Sequence, residues 1–87
     1  MAKRGAWVAT EIDSTVLAAD AGRSNVVLQH HAGDEVWLGF GEVAVVGEGI
    51  RLSEMVPYLQ ITDGRAQMAI HMLCRPDESA MGGYQTT

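Results

Sequence analysis

The stretch that decides the fold is residues 23–52, RSNVVLQHHAGDEVWLGFGEVAVVGEGIRL. It holds three short runs in which apolar side chains recur at every second position. Val26, Leu28 and His30 share one side of the first run, Val36, Leu38 and Phe40 one side of the second, and Ile50 and Leu52 one side of the third. Successive side chains of an extended chain point to opposite faces, so each run has one face for a core and one for solvent. Turn chemistries separate the runs: His31-Ala32-Gly33-Asp34, then Gly39 and Gly41, then Gly47-Glu48-Gly49. Such alternation, cut at short intervals by Gly and Asp, predicts an all-β fold, a small antiparallel β-sandwich or barrel.

Outward from this centre, residues 15–19 (TVLAA) predict a first strand, with a turn at 20–23 where Gly22 is free to take positive φ. Residues 24–31 and 35–40 follow as strands, and the 31–34 link makes them a hairpin candidate. Residues 43–46 read as a strand or an apolar loop, and 49–55 as a strand that Pro57 breaks. Residues 58–62 form another, closed by Asp63-Gly64. Residues 66–74 predict a buried strand, with Met68, Ile70, Met72 and Cys74 on one face and Ala69, His71 and Leu73 on the other. Residues 80–87 read as a last edge strand or a loose tail, weakened by Gly82-Gly83. The expected core is Val26, Leu28, Val36, Leu38, Phe40, Ile50, Leu52, Met68, Ile70 and Met72. Residues 1–14 keep neither period for long and read as an extended N-terminal arm, leaving 15–87 as the domain. Trp7 in that arm either folds back on its own domain or anchors the arm on a neighbouring subunit, since a lone indole left in water is costly.

With 87 residues there is room for one domain and one modest core. A chain this short buries roughly 60–65% of its unfolded surface, so help from disulfides, a metal or oligomerisation is expected. Cys74 is the only cysteine, which removes an internal disulfide. One Cys and three His show no zinc-ligand spacing. Oligomerisation remains. The net charge of −5, from 11 acidic and 6 basic residues, disfavours nucleic acid, and the interior arginines Arg23, Arg51, Arg65 and Arg75 are scattered. No apolar run approaches the roughly 18 residues of a membrane span. The apolar run 6–9 after Lys3-Arg4 is too short for a signal peptide. A lone thiol fits synthesis in a reducing cytoplasm.

No residue pattern has the spacing of a catalytic centre. His30 and His31 are adjacent, so in a strand their rings face opposite ways and cannot chelate one ion together. Joint chelation with His71 would need a cross-strand meeting. Cys74 beside Arg75 is the candidate nucleophile, on the ground that a cation lowers a thiol pKa. It has no assignable His–Asp arrangement, and buried structural cysteine is the plainer reading. Gly39, Gly41, Gly47 and Gly49 lack the pattern of a phosphate loop and read as bends and turns. Ser14, Ser24, Ser53 and Ser79 lack a nucleophile-elbow context. Asp34, Glu35, Glu42, Glu48 and Glu54 form no calcium loop and read as a solvated acidic face. The expectation is a protein without enzymatic activity, cofactor or metal. Trp37 and Leu73 stand on the outward side of their strands, and exposed large apolar side chains mark contact surfaces.

The Arg-led run 23–30, then Val36-Trp37-Leu38-Gly39-Phe40-Gly41, then Gly47-Glu48-Gly49-Ile50-Arg51-Leu52, and later Tyr58, resemble a type of small tailed-phage virion protein. The resemblance covers about the middle half of the chain. His30 stands where such proteins tend to have Asn, and residues 53–57 replace a Gly-rich turn before the aromatic residue. The resemblance implies a capsid decoration, or cement, protein. Such proteins are β-sandwiches or barrels, commonly trimeric, that bind the outer face of the major capsid shell. Alternatives are other parts of the same build: a head-fibre base, neck, tail-tip or host-attachment module. It implies the major capsid protein and further copies of this chain as partners, with the virion surface as location. Lys3, Arg4 and Trp7 are then expected at the capsid contact or in exchange with a neighbour, and Trp37 and Leu73 at the subunit interface. A rival reading is a sugar-binding module with Trp37 or Tyr84 as a stacking platform.

Overall fold

A computed structural model describes residues 3–87. The elements are β1 (Lys3–Ala9), β2 (Ser14–Leu17), β3 (Val26–Gly33), β4 (Val36–Phe40), β5 (Arg51–Leu52), β6 (Tyr58–Ile61), the short 3-10 helix η1 (Gly64–Gln67), β7 (Ile70–Leu73) and β8 (Ala80–Thr86). They form two four-stranded antiparallel sheets. Sheet A has the order β1-β8-β3-β6 and sheet B the order β2-β7-β4-β5. The all-β sandwich expected from the alternation is the observed architecture. The chain passes back and forth between the sheets, and only β4 and β5 are neighbours both in sequence and in a sheet.

The inner faces carry the core. Val26, Leu28, Val36, Leu38, Leu52, Ile70 and Met72 are buried where the alternation puts them, with Phe40 and Ile50 packed partly buried against them. Ile61, Ala66, Cys74, Trp7, Ala9 and Ala80 complete the cluster. Met68 is the exception, at 42% exposure. The run 66–74 splits into the end of η1 and β7, and Met68 is the cap that follows the helix. Alternation therefore starts only at Ile70, and Met68 falls outside it.

The arm expected over residues 1–14 needs correction from Lys3 onward. Lys3–Ala9 is strand β1, paired along its whole length with β8 from Lys3↔Thr86 to Ala9↔Ala80. Trp7 is 3% exposed and belongs to the core of its own chain. The first two residues of the expected arm lie outside the described part of the chain. β8, expected as an edge strand or tail, lies between β1 and β3 inside sheet A.

These two surprises have one cause. Trp7 stands directly opposite Gly82, and Tyr84 directly opposite Gly5. A Cβ on Gly82 would collide with the Trp7 indole, and one on Gly5 with the Tyr84 ring. Each aromatic ring lies over a glycine of the partner strand, so Gly82, one of the two residues that weaken β8 by propensity, is the one that admits the indole. Trp7 Nε1 also donates to Gly83 O at 3.1 Å, which satisfies the buried indole N–H.

The 31–34 link is not a hairpin turn. β3 pairs with β6 and β8, β4 pairs with β5 and β7, and the link is a corner from one sheet to the other. A register shift between His30 and Ala32 bends β3. Gly33 then takes φ +98°, and Asp34 N donates to Ser79 O at 2.9 Å. A β-bulge followed by a left-handed glycine turns a strand out of its sheet as readily as it closes a hairpin. The chain takes the corner because two apolar faces, one on each strand, must meet across the core. Residues 43–46 are a loop, the second of the two readings offered for them.

Candidate functional site

The outer face of sheet B is the surface on which the sequence-derived contact residues meet. Trp37 pairs with Leu73 on one side and with Arg51 on the other, so the three form one cross-strand row. Their inward neighbours Val36, Leu38, Met72 and Leu52 are buried, which turns this row outward. Trp37 and Leu73 are partly exposed. The Arg51 guanidinium lies 5.5 Å from the centre of the Trp37 ring, within cation–π range. Trp37 Nε1 has no hydrogen-bond partner.

Further along the same face a loop crosses the sheet at Gly39. A Cβ there would run into Glu42 O, Val43 C and Ala44 N. Asp13 pins the crossing: one carboxylate oxygen accepts from Ala44 N at 2.8 Å, and the other is 3.0 Å from His71 Nδ1. The loop leaves Val43, Val45 and Val46 exposed. Sheet B thus presents an indole, a leucine and, on the loop laid across it, three valines.

At one end of this face charges are closed on one another. Arg75 makes a two-pronged contact with Asp34, 3.0 Å from Nε and 2.8 Å from Nη2. It also lies 3.6 Å from Glu35, which reaches Arg51 at 3.1 Å. The Arg75 hydrogen bonds hold the Asp34 carboxyl below its ordinary range, with the charge of Arg75 adding to the effect. Arg75 is therefore committed to carboxylates. It does not activate Cys74, whose thiol is pushed up to about 11 by burial, with Asp34 and Glu78 adding to the shift. A thiol so placed stays protonated near neutral pH, the reverse of what a nucleophile needs.

The histidines sit as the strand geometry requires. His30 faces inward, 7% exposed, with its Nε2 donating to Asp34 O at 2.7 Å and its ring tilted against Trp7. His31 faces outward. Among the described residues no three His, Cys, Asp or Glu side chains gather in a way that would hold a metal ion. No helix there is long and apolar enough to cross a membrane.

The structure leaves Lys3 and Arg4 exposed on β1 and removes Trp7 from any contact surface. It also shows a residue that the sequence reading passed over. Arg23 is 6% exposed and donates from Nε to Ala66 O, from Nη1 to Ala18 O at 3.0 Å and from Nη2 to Met68 O at 2.8 Å. One guanidinium ties the loop before β3 to the C-terminal end of η1 and to the segment just after β2. An arginine flanked by Gly22 and Ser24 in a turn carries no local mark of this role, because all three acceptors are backbone carbonyls.

Compared with protein-family models, curated proteins and solved structures, the chain matches none. The molecule is a small antiparallel β-sandwich whose chemistry has to be read from its own surfaces.

Proposed function

We propose that this chain is a structural subunit of a tailed-phage virion, of the capsid decoration type, and that it works as a mechanical clamp rather than as an enzyme. The observation that carries the reading is the outer face of sheet B, where Trp37 and Leu73 adjoin a loop bearing Val43, Val45 and Val46. Several outward-facing large apolar side chains on one sheet face of so small a domain are characteristic of contact surfaces. The phage-like run of residues 23–52 supplies the location, and most of it builds this face and the core beneath it.

In this reading the Trp37–Leu73 face joins copies of the chain into a symmetric oligomer, a trimer by the resemblance, that bridges subunits of the major capsid protein. Each contact with the shell is weak alone. Several on one oligomer raise the effective concentration of the rest, and avidity holds the clamp against outward pressure. Lys3 and Arg4 remain available on the exposed strand β1, and Trp7 takes no part.

Cryo-microscopy of the intact particle tests this by copy number and position. Copies spread in symmetric clusters over the head support the reading. A few copies at the neck or tail would replace it with another structural role, and absence from purified particles would end it.

A further inference from the structure

We propose that the outer face of sheet A carries a binding site for an acidic saccharide, one that reads a carboxylate and the neighbouring ring hydroxyls together. The site lies on the opposite sheet from the assembly face and stands or falls independently of it.

The site is a shallow groove of about 380 Å³ built around Gly83. That volume lies in the lower part of the range of small-ligand sites. β8 is the middle strand here, flanked by β1 and β3. Gly83 leaves a notch between its neighbours, and the His31 ring lies against it: a Cβ on Gly83 would come within 3.2 Å of His31 Cε1. Arg4 and Gln85 are directly paired beside the notch, and Gln29 is paired with Gly83 itself. Tyr84 completes the lining.

Two features separate this groove from ordinary solvated surface. First, Arg4 is the only arginine among the described residues with neither an ion pair nor a side-chain hydrogen bond. Arg23 is spent on carbonyls, Arg51 on Glu35, Arg65 on Asp63 and Arg75 on Asp34. Second, no carboxylate lines the groove, although the chain carries 11 acidic residues against 6 basic. The side chains of Gln29, His31 and Gln85 make no hydrogen bond to the protein either, so four polar side chains converge without partners.

Their chemistry selects the ligand. A guanidinium offers two parallel N–H donors that match a carboxylate. Each glutamine amide presents two donors and an acceptor, which suits hydroxyls that must both give and take a proton. A free phosphate would use the N–H donors of Arg4 and of the amides and leave the amide oxygens without donors. A wholly apolar ligand would strand all four groups.

Saturation-transfer NMR with methyl β-D-glucuronide on the full chain tests the proposal, with methyl β-D-glucoside and sodium acetate as comparison probes. The glucuronide is expected to bind with a Kd on the order of millimolar, and each comparison probe about tenfold more weakly or worse. Arg4→Ala and Gln29→Ala should each weaken the glucuronide severalfold, while Trp37→Ala, on the other sheet, leaves it unchanged. All three substitutions are at the surface, and an unchanged unfolding temperature shows that the fold survives. Acetate equal to glucuronide would reduce the site to a bare anion contact and overturn the saccharide assignment. So would glucoside equal to glucuronide, binding unaffected by Arg4→Ala, or no saturation transfer at all.

Discussion

Trp7 and Gly82 are best understood as one unit written in two places. The indole supplies a large buried surface to the core, and the glycine supplies the space for it. Trp7→Ala should cost about 3–5 kcal/mol. A domain of this length has only about 4–13 kcal/mol in total, so the variant stands at the edge of folding. Gly82→Val should be at least as damaging, because the added carbons meet the indole on one side of the strand and Gln29 O beside it. Urea unfolding followed by tryptophan fluorescence measures both. A near-neutral Trp7→Ala would mean that the indole is not in the core. Arg23 shows the same economy at a second position: three hydrogen bonds from one side chain hold segments that share no strand.

At the scale of elements, β1 and β8 depend on each other. Deleting residues 1–10 removes Trp7 and Ala9 from the core and leaves β8 as an open edge. The expected outcome is loss of the cooperative unfolding transition, read by circular dichroism, and not a folded domain that has merely lost an arm. The corner between β3 and β4 has a pH dependence of its own. The folded-state pKa of Asp34 is lowered chiefly by its hydrogen bonds with Arg75. The pair therefore stabilises the fold in full above the ordinary carboxylate value of 3.8 and loses its contribution as pH falls through the lowered value. As pH falls below about 4, the unfolding temperature of the parent chain should fall more steeply than that of Asp34→Asn. Parallel curves would remove the pair from the account.

What was legible at this scale follows from the physics of alternation. Val26, Leu28, Val36, Leu38, Leu52, Ile70 and Met72 declared the inner faces because each lies in a run whose two sides differ in polarity. β1 declared nothing, since Lys3, Gly5, Trp7 and Ala9 on its inner side are no more uniformly apolar than Arg4, Ala6 and Val8 on its outer side. β8 looked broken by Gly82-Gly83. Only the pairing of the two explains either, and a pairing that sets Trp7 against Gly82, near the other end of the chain, has no local trace. The corner at 31–34 was missed because a bulge and a positive-φ glycine serve hairpins and corners alike. On the outer face of sheet B, the outward placing of Trp37 and Leu73 was readable from the period of two. The loop that lays Val43, Val45 and Val46 across Gly39 was not, because it has no period.

The whole molecule is a sandwich in which nearly every strand pairs with one distant in sequence. Such topologies fold slowly and expose unpaired edges while they do so. β5, at an edge of sheet B, is two residues long, a form in which edge pairing between chains is discouraged. The faces are left for contact, and the outer side of sheet B is the one that carries Trp37, Leu73 and the loop bearing Val43, Val45 and Val46. The central claim is that this face joins copies of the chain. Light scattering coupled to size-exclusion chromatography tests it most directly, against a chain mass of 9.3 kDa. The parent protein should elute at a small whole multiple of that mass, and the double variant Trp37→Ser, Leu73→Ser should fall back to the single-chain value while remaining folded. A parent protein that stays at the mass of one chain at every concentration, or a double variant that assembles as the parent does, would contradict it.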